Sequence, residues 1–275
     1  MGVVNVTMDS FYTGSRYPDV DAATSTALRL AEAGADILDI GGESTRPGAP
    51  PVSIQEELDR VLPVLDNLRT QTDRMLSVDT RKAEVAESAL VNGADIVNDV
   101  TALGGDPRMA EVAARAGAGV VLMHMQGTPE TMQSEPRYGD VAAEVKASLS
   151  EAVARAERAG IASDAIVVDP GIGFGKTLSH NLTLLNELDT LAELGKPILV
   201  GTSRKGFIGK LLSSEAEARI FGTAASVAAA ILRGASIVRV HDVSEMRDVA
   251  TVADAIRNNA TSASSNGGVN GGPGA

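Results

Sequence analysis

Short apolar runs alternate with longer segments of helical periodicity along nearly the whole chain. The apolar runs predict strands near Gly2–Asn5, Ile37–Ile40, Leu76–Asp79, Ile96–Asn98, Val120–Met123, Ile166–Asp169, Ile198–Gly201 and Ile237–Val240. The segments between them predict helices that include Asp21–Ala33, Ile54–Arg69, Ala83–Asn92, Pro107–Ala116 and Val141–Ala159. Apolar strands separated by helices are typical of a parallel sheet that is covered on both faces.

A short phrase recurs at the junction of helix and strand. Gly-Ala, followed by Asp, Gly or Ser and an apolar run, starts at Gly34, Gly93, Gly117 and Gly234, each time after an Ala-rich stretch. Each glycine suits a helix C-terminal cap, so the repeat unit is a helix, a glycine turn and a buried strand. Eight such units over about 260 residues predict a single-domain α/β fold, a (β/α)8 TIM barrel across residues 1–260.

An open, doubly wound sheet is the alternative fold. It usually carries a Gly-rich phosphate-binding fingerprint in its first turn. The turn after Asn5 instead reads Thr-Met-Asp-Ser-Phe. Residues 261–275 are almost wholly Ser, Asn, Gly, Ala, Thr and Pro, and such a segment buries too little apolar area to order itself. We therefore predict a disordered tail after the barrel.

Composition and charge exclude several classes of protein. The chain has 275 residues, 44% hydrophobic and 22% charged, as expected of a soluble globular protein. It has no cysteine, which excludes disulfides and thiolate metal sites, and its net charge of −12 argues against general nucleic-acid binding. No apolar run approaches the roughly 18 residues of a membrane span, and no basic signal-peptide start follows Met1. We expect a cytoplasmic protein.

Polar or charged residues end the predicted strands. They are Asn5, Asp39, Asp79, Asn98, His124, Asp169, the Ser203-Arg204-Lys205 triplet, Arg239 and His241. In a barrel the active site forms at the C-terminal ends of the strands, so these endings predict one shared mouth. Two loops, Thr7–Asp19 and Gly41–Ser53, exceed the usual length of about two to six residues, as substrate-binding loops do.

The residue types at the mouth indicate the ligand. Arg239 and His241 are two positions apart, share one face of the last strand, and together with Lys205 suit a phosphate or diphosphate. The strand-end acceptors suit a flat heterocycle with a donor-rich edge, such as a 2-amino-4-oxo pyrimidine. These acceptors are Asp79, Asn98 and Asp169. The alternative is a plain ion-pair network between these carboxylates and the cations.

Several motifs together resemble those of the dihydropteroate synthases, the folate-pathway enzymes that sulfonamides target. They are Met1-Gly-Val-Val-Asn-Val-Thr, Asp9-Ser-Phe11, Gly41-Gly-Glu-Ser-Thr-Arg-Pro-Gly48, Ser77-Val-Asp-Thr80, Asn98-Asp99, Asp169-Pro-Gly-Ile-Gly-Phe174, Ser203-Arg-Lys205 and Arg239-Val-His-Asp242. The resemblance covers nearly all of the folded chain. It implies a (β/α)8 barrel that joins 6-hydroxymethyl-7,8-dihydropterin diphosphate to 4-aminobenzoate, giving 7,8-dihydropteroate and pyrophosphate.

The resemblance also assigns roles, position by position. It implies pterin binding by Asp79, Asn98, Met123, Asp169, Lys205 and Arg239, and catalytic roles for Asp79, Asp169, Lys205 and Arg239. It implies diphosphate binding by Asn5, Arg239 and His241, with Asn5 as a ligand of Mg²⁺. It implies 4-aminobenzoate binding by Thr45, Arg46, Pro47, Phe174, Lys205 and Gly206. A dissociative mechanism through a pterin-methylene cation and a homodimer formed by late helices complete the expectation.

The resemblance assigns no ligand-binding role to two of the polar residues that end the predicted strands. They are Asp39 and His124, and neither has a partner that the sequence identifies. Asp and other short polar residues commonly cap helices or end strands in loops. We therefore interpret both residues as ordinary loop or cap polars.

The first loop departs from the family pattern. Met8 stands where relatives commonly have proline, and Thr13 stands where they commonly have an acid. A working synthase, one with altered sulfonamide affinity and a paralogue without synthase activity are the three resulting hypotheses. A pterin-dependent methyltransferase barrel and a non-catalytic pterin-binding barrel are two further hypotheses. Hydrolase chemistry is disfavoured because Ser44 and Ser203 show no histidine partner in the sequence.

Overall fold

Among the residues that the structure describes, eight parallel strands surround the centre of the protein. The structure, a computed structural model, describes residues 1–6, 20–45 and 48–265. The strands are β1 (Gly2–Asn5), β2 (Ile37–Gly41), β3 (Met75–Asp79), β4 (Ile96–Asp99), β5 (Gly119–Met123), β6 (Ile166–Asp169), β7 (Leu199–Val200) and β8 (Ile237–Val238). β1 to β6 pair in sequence order, and β7 pairs with β8.

Isolated bridges close the two sheets into a cylinder. Val168 of β6 bridges to Ile198, and Gly2 of β1 bridges to Val240, just beyond β8. The amide of Val3 donates to the carbonyl of Val240 over 3.0 Å, which extends this seam. Every strand therefore has two neighbours, and the predicted TIM barrel is confirmed.

Helices occupy the connections between strands and cover the outside of the barrel. They are α1 (Val20–Glu32), α2 (Ile54–Arg69), α3 (Ala83–Val91), α4 (Met109–Ala116), α5 (Val141–Arg158), α6 (Leu178–Asn186), α7 (Gly206–Leu212), α8 (Ile220–Leu232) and α9 (Val243–Ser265). Short 3-10 helices span Ser163–Ala165, Leu188–Leu194 and Ala216–Ala218. The order agrees with the predicted repeat, although β7 and β8 are shorter than the apolar runs that predict them.

Side-chain alternation along the strands separates two apolar cores. One set of positions packs against the helices and forms the large core, for example Leu38, Val97, Leu122 and Val168. The alternate set forms a small core inside the barrel, made by Met1, Ile37, Ile96, Val121, Val167, Leu199 and Ile237. Side chains in a strand alternate with period two, so the residues two positions later also face the barrel interior. They lie one layer closer to the C-terminal ends of the strands.

Glycine permits the tight return from helix to strand. Gly117 caps α4 in the left-handed conformation, at φ +65°. Gly34 has φ +100°, and a Cβ atom there would lie 1.9 Å from Nη1 of Arg247. Both positive φ values favour glycine, in agreement with the predicted capping role.

The last helix extends past the predicted end of the barrel. α9 continues to Ser265, so residues 261–265 are helical and the predicted tail boundary falls within this helix. The remainder of the predicted tail, and the first loop with Met8 and Thr13, lie outside the described residues. Within residues 1–6, 20–45 and 48–265, none of the helices has the length and apolar character needed to cross a bilayer.

Candidate active site

A pocket opens at the C-terminal ends of the strands, and its empty space, including the part open to solvent, is about 350 Å³. Eight residues singled out from the sequence line it, namely Thr45, Asp79, Asn98, Met123, Asp169, Phe174, Lys205 and Arg239. Val100, Ile172 and Gly201 complete the lining, and sequence reasoning missed them. Residues more than 190 positions apart thus share one pocket, because all the strands end at the same edge of the barrel.

The guanidinium of Arg239 joins two carboxylates at the floor of the pocket. Its Nε donates to Asp39 over 2.6 Å, and its Nη2 donates to Asp79 over 2.8 Å. Asp39 also accepts from Ser77 Oγ over 2.6 Å and from Asn98 Nδ2 over 3.1 Å. One buried carboxylate therefore orients three neighbouring side chains at once.

The interpretation of Asp39 as an ordinary loop or cap residue is wrong. It lies inside β2, two positions before the strand ends, and is completely buried. The signal was present in the sequence, since a charged residue between apolar neighbours in a buried strand requires a partner. That partner, Arg239, is 200 positions away in the sequence, where no local pattern identifies it.

Burial dominates the electrostatics of the floor. It raises the pKa of Asp79 to about 7, because the charge of Arg239 offsets burial only in part and Asp39 adds repulsion. Burial also raises the pKa of Asp169, against a 2.7 Å hydrogen bond that its Oδ1 accepts from the amide of Gly171. Arg239 has its pKa raised above its usual value, because the surrounding carboxylates outweigh its burial. The floor holds more acidic groups than its one guanidinium neutralises.

Lys205 stands between the floor and the rim. Burial lowers its pKa to about 8, with Arg239 acting in the same direction and Asp169 opposing. Its Nζ lies 4.0 Å from the centre of the Phe174 ring, within the range of a cation–π contact. It is the N-cap residue of α7, whose first residue is Gly206. This placement puts an amine, an aromatic face and an exposed backbone N–H side by side.

His241 has a partner that the sequence did not indicate. Its Nδ1 lies 3.0 Å from Ser203 Oγ, and its backbone amide donates to the same oxygen over 3.2 Å. Ser203 Oγ therefore bonds both the ring and the backbone of His241, and Nε2 is the ring nitrogen that Ser203 does not contact. Burial and then the charge of Arg239 lower the pKa of His241 to about 4, so the ring is neutral near pH 7.

This contact corrects the expectation that Ser203 has no histidine partner. A serine nucleophile needs a carboxylate or carbonyl that orients the far side of the histidine ring. The adjacent carboxylate, Asp242, is instead bonded by Arg204 through Nε at 3.1 Å and Nη2 at 2.5 Å. The pair fits a histidine held as a hydrogen-bond donor better than an activated serine.

Asn5 and His124 are not in the lining of the pocket. Asn5 ends β1 on the interior-facing set of positions, on the strand that adjoins β8. His124 follows Met123 and belongs to the opposite set, and its Nδ1 lies 3.1 Å from Lys176 Nζ. The alternation of side chains therefore turns His124 away from the pocket. It is not an ordinary loop residue, however, because its ring contacts the buried Lys176.

The amide of Asn5 fits a magnesium ion that arrives with a substrate. Among the described residues, no cluster of three or more His, Asp or Glu side chains is placed to hold a metal. Mg²⁺ prefers oxygen ligands, keeps several waters and is commonly bound through substrate phosphates. The single amide oxygen of Asn5 is compatible with an ion whose other ligands are phosphate oxygens and water.

The second loop is anchored at its start by ion pairs. Glu43 accepts from Lys82 over 2.7 Å and from Arg81 over 3.1 Å. Burial acts to raise the pKa of Glu43, but the hydrogen bonds from Arg81 and Lys82 lower it below its usual value. Thr45 follows two residues later and reaches the pocket. Two further residues predicted for 4-aminobenzoate binding, Arg46 and Pro47, lie outside the described residues.

Comparisons with known proteins give one consistent result. Residues 1–241 match the model of the pterin binding enzyme family. The dihydropteroate synthases of Synechocystis sp. and Escherichia coli are each 46% identical over 93% of this chain, covering 89% and 90% of their own lengths.

Solved structures agree. The Yersinia pestis dihydropteroate synthase, in a sulfonamide drug complex, has a TM-score of 0.89 at 44% identity and covers 94% of both chains. The Xanthomonas albilineans dihydropteroate synthase, solved with 4-aminobenzoic acid, has a TM-score of 0.88 at 48% identity and covers 94% of this chain and 92% of its own. The chain therefore belongs to the dihydropteroate synthase family of pterin-binding enzymes.

Proposed function

We propose that this chain catalyses the dihydropteroate synthase reaction. It joins 6-hydroxymethyl-7,8-dihydropterin diphosphate to 4-aminobenzoate and releases pyrophosphate. The observation that carries the proposal is the shared pocket, in which acceptors on the floor lie beside Lys205 and Phe174 at the rim. Membership of the family supports the same substrates, since a relative from Xanthomonas albilineans is also solved with 7,8-dihydropteroate.

The floor of the pocket receives the pterin. Asp79 and Asp169 accept from the donor-rich edge of the heterocycle, and the carbonyl oxygen of Asn98 accepts as well, because its amide nitrogen is held by Asp39. Met123, which lines the same pocket, and Arg239 pack against the faces of the ring. Buried acceptors left without a partner are costly, which makes this edge selective for pterins.

The diphosphate lies between β8 and β1. Asp39 and Asp79 bond Nε and Nη2 of Arg239, so Nη1 remains as the edge for phosphate oxygens. His241 donates from Nε2, the ring nitrogen that Ser203 does not contact. Asn5 would hold Mg²⁺ together with the diphosphate and water, and the ion would supply further positive charge to the leaving group.

The rim receives 4-aminobenzoate. Its ring packs against Phe174, and its carboxylate approaches Lys205 and the Gly206 amide at the start of α7. Thr45 reaches it from the second loop. A sulfonamide with the same aromatic amine competes for this place.

The reaction proceeds by dissociation and then capture. The bond between the pterin methylene carbon and the diphosphate oxygen breaks, and the electron pair leaves with the diphosphate, whose charge Arg239 and His241 stabilise. The resulting cation is delocalised over the ring, and Asp79 and Asp169 stabilise it from the floor. The amine of 4-aminobenzoate then attacks the methylene carbon and loses a proton.

A homodimer is part of the proposal. α8 and α9 pack together and expose apolar side chains at the surface, among them Phe221 at 84%, Val252 at 61% and Ile256 at 55%. A patch of this kind on late helices favours a partner surface. Sedimentation of wild type against Phe221→Glu tests it, with a shift from dimer to monomer as the expected result.

The cytoplasmic location, and the absence of nucleic-acid partners argued from the charge of −12, stay predictions.

One assay tests the reaction itself. Protein, Mg²⁺, the pterin diphosphate and labelled 4-aminobenzoate are incubated together, and dihydropteroate and pyrophosphate are measured. Stoichiometric formation of both products is expected, with inhibition by a sulfonamide that added 4-aminobenzoate relieves. Pterin binding without either product would favour the non-catalytic paralogue. Methyl transfer from a methylated pterin, again without those products, would favour the methyltransferase barrel.

A further inference from the structure

Lys176 is a buried lysine that does not line the pocket. Only 3% of the residue is exposed. Its Nζ donates to the carbonyl oxygen of Phe174 over 2.8 Å and to that of His124 over 3.2 Å, and it lies 3.1 Å from His124 Nδ1. An ammonium has three donors, and each of them meets one acceptor here.

These contacts join the ends of two neighbouring strands. His124 directly follows β5, and its amide donates to Asp169, the last residue of β6, over 3.0 Å. Phe174 lies in the loop that leaves β6. Lys176 therefore fixes the backbone of that loop to the end of β5, at the residue that carries the aromatic ring.

The acceptor state of His124 supports the arrangement. Burial and then the charge of Lys176 lower the pKa of His124 to about 3, so the ring is neutral near pH 7. Nδ1 accepts from Lys176 in the tautomer that carries the proton on Nε2. Burial lowers the pKa of Lys176 to about 7, while Asp169 opposes the shift. Amine and ammonium therefore coexist near neutral pH, and both forms donate to carbonyl oxygens.

The ring of Phe174 in turn contacts Lys205. The distance of 4.0 Å from Lys205 Nζ to the ring centre depends on where the backbone of Phe174 lies. The loop is crowded here, since a Cβ atom at Gly173 would lie 3.1 Å from Cδ of Lys205. A small shift of the loop therefore changes the relation between the aromatic face and the amine.

We propose that Lys176 is a positioning residue for the aromatic amine substrate. It holds the Phe174 ring against Lys205 and so sets the affinity for 4-aminobenzoate, without contacting either substrate. The inference rests on the proposed function, because it concerns the rim of the same pocket. The pterin edge on the floor is formed by other residues, and none of them accepts a hydrogen bond from the Lys176 amine.

The test compares two buried lysines. Lys196 is a matched control, because its side chain is 6% exposed and its Nζ also makes three bonds, one to Glu157 and two to Ser163. It lies before β7, at the opposite end of the barrel. Lys176→Met should raise KM for 4-aminobenzoate roughly tenfold, equal to about 1.4 kcal/mol, and leave KM for the pterin diphosphate within about twofold. Lys196→Met should leave both KM values within about twofold.

A double-mutant cycle shows whether Lys176 acts through the ring. Phe174→Leu alone should raise KM for 4-aminobenzoate. Adding Lys176→Met to it should then raise KM by less than about twofold further, because coupled residues are not additive. A full tenfold increase in both backgrounds would overturn the proposal, since Lys176 would then act by another route.

A second readout does not need turnover. The chain has four phenylalanines, so selectively labelled protein gives few ring signals, and Phe174→Leu identifies the one that matters. Lys176→Met should move the Phe174 ring signal, and Lys196→Met should leave it in place. Should Lys176→Met fail to fold, His124→Phe removes the Nδ1 acceptor and is measured in the same two ways.

The outcomes separate this inference from the proposed function. A shifted Phe174 signal in a protein without synthase turnover would end the proposed function and leave the positioning role standing. Full turnover with an unmoved signal and an unchanged KM in the lysine variant would overturn the positioning role alone.

Discussion

The floor of the pocket and its rim come from different parts of the barrel. The floor consists of side chains on paired strands, where Asp39 orients Arg239 and Asn98 inside the cylinder. The rim consists of side chains on connections, with Thr45 in the second loop and Phe174 in the loop after β6. The floor is therefore the part of the pocket that suits a ligand group recognised by charged side chains in fixed positions.

The two regions also differ in how they are stabilised. At the floor, Asp39 bonds Arg239, Ser77 and Asn98, and Arg239 also bonds Asp79. Such networks are rigid when fully satisfied. At the rim, the backbone is fixed by side chains from other parts of the chain, such as Lys176 at the carbonyl of Phe174 and Gln133 at the carbonyl of Gly173. Substitutions at the floor should consequently affect folding and binding together, whereas those at the rim should affect one substrate.

Removing Asp39 should have the largest effect. Asp39→Ala takes one carboxylate from a buried guanidinium and should lower the free energy of unfolding by about 3 kcal/mol. It should also weaken binding of the pterin diphosphate by more than about a hundredfold, because the orientation of Arg239 and Asn98 is lost. Urea denaturation and calorimetry measure the two effects. Asp36→Ala is the control, since its carboxylate is 89% exposed, and near-equal losses in both variants would contradict the role of Asp39.

Asp79 should give the pterin site its pH dependence. Its pKa of about 7 means that the accepting carboxylate forms as the pH rises, so pterin affinity should increase through this range. Asp79→Asn should weaken binding roughly tenfold at pH 8 and remove the slope. The same raised pKa means that ionisation destabilises the fold between the unfolded value of 3.8 and about 7, so wild-type stability should fall across that window. A pterin affinity that decreases with pH would contradict this assignment.

Ser203 should act on the diphosphate alone. Ser203→Ala removes the hydroxyl that holds His241 Nδ1, and the loss of one hydrogen bond corresponds to a decrease of about fivefold in affinity for the diphosphate-bearing pterin. The corresponding pterin alcohol, which has no diphosphate, serves as the internal control and should bind unchanged. Equal losses for both ligands would indicate a general distortion instead.

Thr45 should give the smallest effect. Thr45→Val keeps the volume of the side chain and removes one hydroxyl at the rim, so KM for 4-aminobenzoate should rise about threefold. Steady-state kinetics with each substrate varied in turn measures it. A larger change in KM for the pterin diphosphate than for 4-aminobenzoate would place Thr45 on the floor.

The sequence predicted the barrel because the repeat of helix, glycine and strand is local. It also placed Asp79, Asn98, Asp169 and Arg239 correctly at one mouth, since parallel strands share an edge. It missed the partners that fold back from distant positions. Asp39 with Arg239, and Ser203 with His241, meet only when β8 closes against the first strand and β7, and no period in the chain encodes that distance.

The roles of the loops were predictable only as far as motifs allow. The sequence did not predict a role for Lys176, because a lysine in a Gly-rich loop is usually exposed. Its three acceptors come together only in the folded structure. Val100 and Ile172 line the pocket from loop positions, where no strand alternation predicts their direction.

The difference between floor and rim is tested most directly by calorimetric titration of the pterin diphosphate in the absence of 4-aminobenzoate. Wild type and Thr45→Val should bind it with affinities within about twofold of each other, whereas Asp39→Ala should lose more than about a hundredfold. Such a result would show that the floor binds the pterin diphosphate without a contribution from the rim. An equal loss in Thr45→Val and Asp39→Ala, or no binding by wild type until 4-aminobenzoate is added, would contradict it.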